Sequence, residues 1–218
     1  EKTITLQKNW IDKSIGCEIV LKLASGNGEI RAFTTRLDTL FGVTFVVVAP
    51  EYNGVEDLIT PENKQVVDEY IKASLKKSEI DRTSTASAKT GVFTGSYVIN
   101  PLTKELVPVF VGDYVIASYG TGAVIGVGAH DSRDYDFAKR FNLPIKQVIA
   151  DKSGKKTVLP FIEKGVLVNS DEFSGMESDK AILAIVEKLE KLGLGNKKVN
   201  YRLRDWSVSR QRYWGCPI

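Results

Sequence analysis

Apolar and polar residues alternate roughly from Cys17 to Leu23, Ser25-Gly26-Asn27-Gly28 interrupts the run, and alternation resumes from Ile30 to Thr35. This predicts two strands joined by a turn. Val43–Ala49 is a mostly apolar run long enough for a buried strand. A helix is predicted next, because Thr60-Pro61-Glu62 supplies an N-cap, a proline at the first helical position and an early acid. Behind it, Val66, Val67, Tyr70, Ile71 and Leu75 recur at spacings of three and four. The polar stretch Lys76–Lys89 reads as a loop. Strand patterns return at Val92–Ile99, Leu106–Phe110, Tyr114–Tyr119 and Ala123–Val127, separated by turn residues. A second helix begins at Asp131. A third runs from Ser178 to Leu192, with Ser178 as its N-cap and Gly193 as terminator. Strands outnumber helices and do not alternate with them regularly. The predicted class is α/β, with a mixed, β-barrel-like sheet core surrounded by helices rather than a doubly wound parallel sheet.

Composition narrows the chemistry more than the fold. The 218 residues are 43% hydrophobic and 26% charged, as in a folded globular chain. The net charge of +3 calls for no nucleic-acid or membrane partner by itself. His130 is the only histidine, which excludes a multi-histidine metal site and leaves one candidate for any serine-histidine relay. Cys17 and Cys216 are the only cysteines, too few for a disulfide framework or a zinc module. No stretch is long and apolar enough to span a bilayer, and the first residues are not an export signal. The expected setting is cytoplasmic. Charge is uneven, however: residues 197–212 hold six cations against Asp205, while the remainder carries 24 cations against 26 acids. Trp206, Tyr213 and Trp214 lie in or beside that basic tail. Aromatics between arginines suit RNA contacts or packing on a missing neighbour.

Three segments gather polar groups at strand ends. Thr34-Thr35-Arg36-Leu37-Asp38-Thr39 is rich in short hydrogen-bonding side chains, consistent with a binding loop or with a capped turn. Gly120-Thr121-Gly122-Ala123-Val124-Ile125-Gly126 fails as a dinucleotide loop, since Ile125 stands where the third glycine belongs and a strand, not a helix, follows. Its glycines suit close approach of another backbone or of a ligand. His130-Asp131-Ser132-Arg133-Asp134 fails as a calcium loop because its acids fall at the wrong spacing. Asp131 reads as an N-cap. Asp134 sits where a capping box places its acid, but as a short Asp it is free to face a cleft, where its carboxylate would suit an ammonium group.

Four stretches together resemble leucyl-tRNA synthetases of the bacterial type. They are Thr-Thr-Arg-Leu-Asp-Thr-Leu-Phe-Gly-Val-Thr at 34–44, Tyr-Gly-Thr-Gly-Ala-Val at 119–124, Ala-His-Asp-Ser-Arg-Asp-Tyr at 129–135 and Tyr-Arg-Leu-Arg-Asp-Trp-Ser-Val-Ser-Arg-Gln-Arg-Tyr-Trp-Gly at 201–215. The likeness covers nearly the whole chain and corresponds to the editing insertion of the class I catalytic domain. It implies an outgoing linker strand at 1–16, an editing domain at 17–195 and a return linker strand at 196–218, the two chain ends forming a β-ribbon. The aminoacylation signatures are absent, so the chain is not expected to activate leucine or use ATP.

The resemblance implies post-transfer editing: hydrolysis of the ester of isoleucyl-, norvalyl- or methionyl-tRNA(Leu) while leucyl-tRNA(Leu) is spared, the second sieve of a double-sieve scheme. By the same resemblance Asp134 anchors the substrate ammonium, and Thr39 blocks the γ-branched leucine side chain. Thr34 and Thr35 bind the terminal ribose and the reacting region. Arg36 contacts the tRNA end or buttresses the loop. Tyr119 and Ile125 line the pocket, and Asp131 is a second acid. No metal and no cofactor are implied. His130 reads as a side chain fixing the loop before the helix. The expected partners are the 3′ acceptor end of tRNA(Leu) and the catalytic domain of the parent synthetase, with the chain a monomer and no membrane contact. Two alternatives stand: a module that binds the acceptor end without hydrolysis, and the editing domain of a valyl- or isoleucyl-tRNA synthetase. Leu37 and Gly128 replace prolines usual in the family, which loosens the loops around the pocket.

Overall fold

The computed structural model describes residues 2–11, 13–83, 89–117, 120–152 and 158–201. Its centre is a mixed sheet built from strands β1 (Lys13–Leu23), β2 (Glu29–Thr34), β3 (Phe45–Val48), β4 (Val92–Ile99), β5 (Leu106–Val111) and β6 (Ala123–Gly126). Two further strands, β7 (Ile149–Ala150) and β8 (Val166–Leu167), pair apart from it, and β9 (Gly195–Tyr201) joins β1. The sheet order is β2-β1-β4-β5-β3-β6; β3 and β5 run parallel and the other ladders are antiparallel. The outermost strands, β2 and β6, lie against each other without a ladder between them, so the sheet curls into a barrel-like shape that stays open. The described residues also form five helices, α1 (Lys2–Ile11), α2 (Lys64–Leu75), α3 (Glu79–Thr83), α4 (Ser132–Arg140) and α5 (Ser178–Lys191), of which α1 buries no side chain.

The local sequence explains most of these elements. The Gly26–Gly28 turn closes the β1–β2 hairpin through the Leu23 amide on the Gly28 carbonyl at 3.1 Å. β3 is buried at all four positions, as its apolar run requires. β1 bends from one partner to another: its first half pairs with β9, from Lys13↔Tyr201 to Ile19↔Gly195, and its end pairs with β4. The β1–β9 ladder is the ribbon expected from the two chain ends.

The structure corrects four expectations. Residues 2–11, expected within an outgoing strand, form α1. The β1 ladder begins at Lys13, and the residues of α1 before it satisfy their backbone polar groups within the helix. Tyr114 and the residues after it, expected as a strand, are turns and irregular backbone as far as they are described, up to Ala117. There the buried Arg82 donates to the Asp113 carbonyl at 2.7 Å and the Val115 carbonyl at 2.9 Å, taking acceptors that a ladder would need. Within the polar loop at 76–89, Glu79–Thr83 forms α3, with Ser78 accepting from the Asp81 amide at 3.2 Å and Arg82 paired with Glu51. Ser178 is the first helical residue of α5, not its cap; its hydroxyl accepts from the Gly165 amide at 3.1 Å. Trp206, Tyr213 and Trp214 lie outside the described residues.

Two apolar clusters hold the fold. The larger one packs α5 under β1 and the turn at Leu37–Gly42. The smaller one is aromatic, and it positions α4: Phe137 stacks on Phe45 of β3 at 4.8 Å and meets Phe110 of β5 edge-on at 5.4 Å. Gly126 makes room for this stack, because a Cβ there would come within 2.2 Å of the Phe45 ring.

Candidate functional site

β3 and β6 are antiparallel, with Phe45 opposite Gly126, so the turn that enters β3 and the loop that leaves β6 sit at one end of the sheet. The Thr44 amide bonds the Gly126 carbonyl at 3.1 Å and extends that junction. The Thr-rich segment and the His-Asp segment therefore lie at the same end of the sheet.

The Thr-rich segment is a tightly tied 3-10 turn, Leu37–Gly42, buried throughout. The Thr34 hydroxyl accepts from the Arg36 amide at 3.0 Å. The Arg36 guanidinium grips buried Asp38 with two bonds, 3.0 and 3.2 Å, and donates to the Ile162 carbonyl at 3.0 Å. The Thr39 hydroxyl donates to the Arg36 carbonyl at 2.7 Å, and its side chain is only 4% exposed. That bond fixes the rotamer, so the Thr39 methyl is a rigid feature. Asn100 anchors the same turn by donating to the Leu40 carbonyl at 2.9 Å. Thr35 is exposed at the end of β2. Leu37, in place of the usual proline, is fully buried in the main cluster.

Asp131 caps α4, accepting from the Arg133 and Asp134 amides at 2.8 and 3.2 Å. Asp134 does not reach back to complete a capping box. Its Oδ2 accepts from the Val127 amide at 2.8 Å, across the loop that leaves β6. Burial first, and then the Asp131 charge, push the Asp134 carboxyl up to about 7; the Val127 amide and Arg133 oppose that rise. Such a group gains from an arriving cation. Ile125 is half-buried on β6 opposite Val46. At Gly128 a Cβ would come within 3.1 Å of Ala138 Cβ on α4, so a larger residue there presses on the helix that carries Asp134. Tyr119 lies outside the described residues.

His130 ties the loops together. Its Nδ1 lies 2.8 Å from the Phe161 carbonyl, and its Nε2 accepts from the Val148 and Ile149 amides at 2.9 and 3.2 Å. That arrangement uses both nitrogens of a neutral ring, and burial holds the imidazole below its ordinary value. Residues 161 and 162 form a strap: Phe161 donates to the Ala129 carbonyl at 2.8 Å, and the Ile162 carbonyl takes the Arg36 bond. Replacing His130 with alanine orphans two buried amides and is expected to cost about 2–4 kcal/mol. The folded-state value lies below the unfolded one, so this stability is complete above the unfolded value, near pH 6.5, and is lost as pH falls through the folded one. Denaturant unfolding at pH 5 and 8 checks it; an unaltered pH dependence in the variant contradicts the role.

Asp38 reads within the Thr-rich loop but with no role of its own, and Phe161 and Ile162 escaped the sequence reading. Asp38 carried a signal, an acid two residues after Arg36 in a mostly apolar turn, whereas the strap carried none. No group of three or more acids, cysteines or histidines suited to a metal occurs among the described residues. A separate cleft of about 470 Å³, lined by residues including Phe41, Glu105, Lys146 and Asp171, contains none of the predicted site residues.

Residues 8–190 match the family model described as leucyl-tRNA synthetase, editing domain. The chain belongs to that family. Over all 218 residues it is 55% identical to the leucine–tRNA ligase of Clostridium perfringens strain 13 and 52% identical to that of Clostridium botulinum strain Langeland. It spans about a quarter of their length, 27% and 26% respectively. A crystal structure of the ternary complex of Agrobacterium radiobacter K84 agnB2 LeuRS with tRNA and LeuAMS aligns with 99% of this chain and 24% of that one, at a TM-score of 0.76 and 37% identity. These relatives place the editing domain with the leucine enzymes rather than with the valine or isoleucine ones. The family supports a proofreading role in a leucyl-tRNA synthetase.

Proposed function

We propose that the chain hydrolyses the ester bond of mischarged tRNA(Leu), carrying isoleucine, norvaline or methionine, and spares leucyl-tRNA(Leu). The observation that carries this reading is the locked, buried Thr39 at the same end of the sheet as the desolvated Asp134. Water adds to the ester carbonyl, the bond from that carbon to the ribose oxygen breaks, and the oxygen leaves with a proton as a ribose hydroxyl. The products are a free amino acid and uncharged tRNA. Asp134 takes the α-ammonium, whose charge offsets the burial that raises its carboxyl. Thr34 and Thr35 hold the terminal ribose and the reacting region, Ile125 and Tyr119 line the pocket, and Asp131 holds the start of α4 as its cap. With its guanidinium engaged by Asp38 and Ile162, Arg36 is the buttress of the sieve. His130 takes no proton. Positioning and charge complementarity supply the rate.

The partners on this reading are the acceptor end of tRNA(Leu) and the catalytic domain of a longer synthetase, with the chain a monomer. Residues 17–195 are the editing body, and the β1–β9 ribbon leads to the rest of the protein. Ile4, Leu6, Trp10, Ile15, Val199 and Tyr201 are all exposed around that ribbon, an apolar surface suited to a covering domain.

Incubating the chain with isoleucyl-tRNA(Leu) tests the activity. Release of isoleucine at rates well above spontaneous hydrolysis is expected. Tight binding of the acceptor end with no turnover at high protein concentration favours the binding module instead.

A further inference from the structure

Three cations gather beside the candidate site. Arg133 and Arg140 stand seven residues apart on α4, on one face of the helix, and both are exposed. The Arg140 guanidinium donates to the Lys89 carbonyl at 3.1 Å. The Lys89 ammonium lies over the Tyr114 ring, 5.2 Å from its centroid, and that ring packs against Phe137 of α4 at 6.0 Å. Burial first, and then the nearby Arg133 charge, hold Lys89 below its ordinary value. Among the described residues, no carboxylate lies within ion-pair distance of Lys89 or Arg140, and Arg133 has only the Asp131 cap at 3.5 Å. Asp113 acts on Lys89 from a distance but is committed to Lys77 at 2.7 Å. Asp136 is the other acid nearby on α4.

Like charges held together, two of them, Lys89 and Arg140, with no ion pair among the described residues, suit a polyanion. The α-helix rises about 1.5 Å per residue, so Arg133 and Arg140 are about 10 Å apart along its axis. A stacked nucleic-acid strand rises about 3.4 Å per nucleotide, so that span covers about three phosphates. The row starts next to Asp134, which on the proposed function holds the ammonium of the terminal aminoacyl-adenosine. A strand leaving that point must carry its next phosphates outward.

We propose that Lys89 and Arg140, flanked by Arg133, form a phosphate track for the nucleotides just 5′ of the terminal adenosine of the tRNA. The track sets substrate affinity and takes no part in the chemistry. This inference rests on the proposed function for its choice of strand but can fail separately from it.

The decisive probe is an uncharged acceptor-stem RNA ending in single-stranded CCA, bound to the chain at several salt concentrations. Lys89→Gln combined with Arg140→Gln is expected to weaken binding about tenfold at low salt. The variant should also flatten the log–log salt dependence by about 1.4, at about 0.7 per phosphate neutralised on a single strand. Arg140→Lys should retain most of the affinity. Hydrolysis of 3′-O-isoleucyl-adenosine, which lacks those phosphates, should be unchanged in the double variant, while KM for isoleucyl-tRNA(Leu) rises and kcat holds. Unchanged RNA affinity and salt slope overturn the track, whether or not the chain hydrolyses esters. Equal losses on the adenosine ester and on the tRNA also overturn it, since they mark a structural effect.

Discussion

Replacing Thr39 with alanine is expected to make the domain cut leucyl-tRNA(Leu). In the folded chain the Thr39 side chain is buried, and its hydroxyl is committed to the Arg36 carbonyl, so the methyl group is held in one place. On the proposed function, a γ-branched substrate would meet that methyl and an unbranched or β-branched one would not. Discrimination by one methyl-sized contact is worth about 1–3 kcal/mol, or about 10–200-fold in rate. Leucyl-ester hydrolysis should rise by about that factor in Thr39→Ala, with isoleucyl-ester hydrolysis largely retained. Losing one hydrogen bond costs only about 1 kcal/mol of stability, so the variant should fold. Thr39→Val separates shape from polarity, because it keeps the branch and drops the hydroxyl; it should still spare leucyl-tRNA. If Thr39→Ala spares it too, Thr39 is not the sieve.

Asp134→Asn is expected to move activity and stability in opposite directions. On the proposed function, removing the carboxylate charge would deprive the substrate ammonium of its partner, and a charged hydrogen bond is worth about 1.5–3 kcal/mol. Hydrolysis of every ester should therefore fall by about 10–150-fold, without regard to the amino-acid side chain. For the unsubstituted chain, kcat/KM should climb as pH rises toward a plateau above about 7, where the free carboxyl ionises. Stability runs the other way. The folded-state value, about 7, lies above the usual carboxyl value of 3.8. The folded chain thus keeps a proton that the unfolded chain releases, and stability falls as pH rises between those values. Asparagine can still accept from the Val127 amide and carries no buried charge. The variant should be the more stable protein at pH 8, equal at pH 4, and flatter between them, with Tm rising by about 2–4 °C per kcal/mol recovered. Near-normal hydrolysis in Asp134→Asn contradicts the anchor, and lower stability at pH 8 contradicts the account of its burial.

The sheet was legible because period-two patterning and turn residues are local signals. β4 occupies Val92–Ile99 as read, and Asp131 caps α4 as its position suggested. The misread segments depended on partners distant in sequence. Tyr114 leaves the sheet pattern because Arg82, about thirty residues earlier, takes its neighbours' carbonyls. The start of the chain reads as an extended linker but forms α1, whose backbone bonds itself and needs no partner strand. The site divides in the same way. The threonines, Arg36 and the two aspartates stand out as polar clusters at strand ends, and the roles attached to them came from the family resemblance. Among the bonds that set Arg36 and His130, one each involves a backbone carbonyl, at 162 and 161. A backbone acceptor leaves no trace in side-chain pattern, and so the strap was invisible.

The central claim is a sieve, and the ratio of two single-turnover rates measures it most directly. Isoleucyl-tRNA(Leu) and leucyl-tRNA(Leu) should be incubated with excess chain under identical conditions. The account predicts rapid release of isoleucine, with leucine released at close to the spontaneous rate. Equal rates for the two esters, fast or slow, would contradict it.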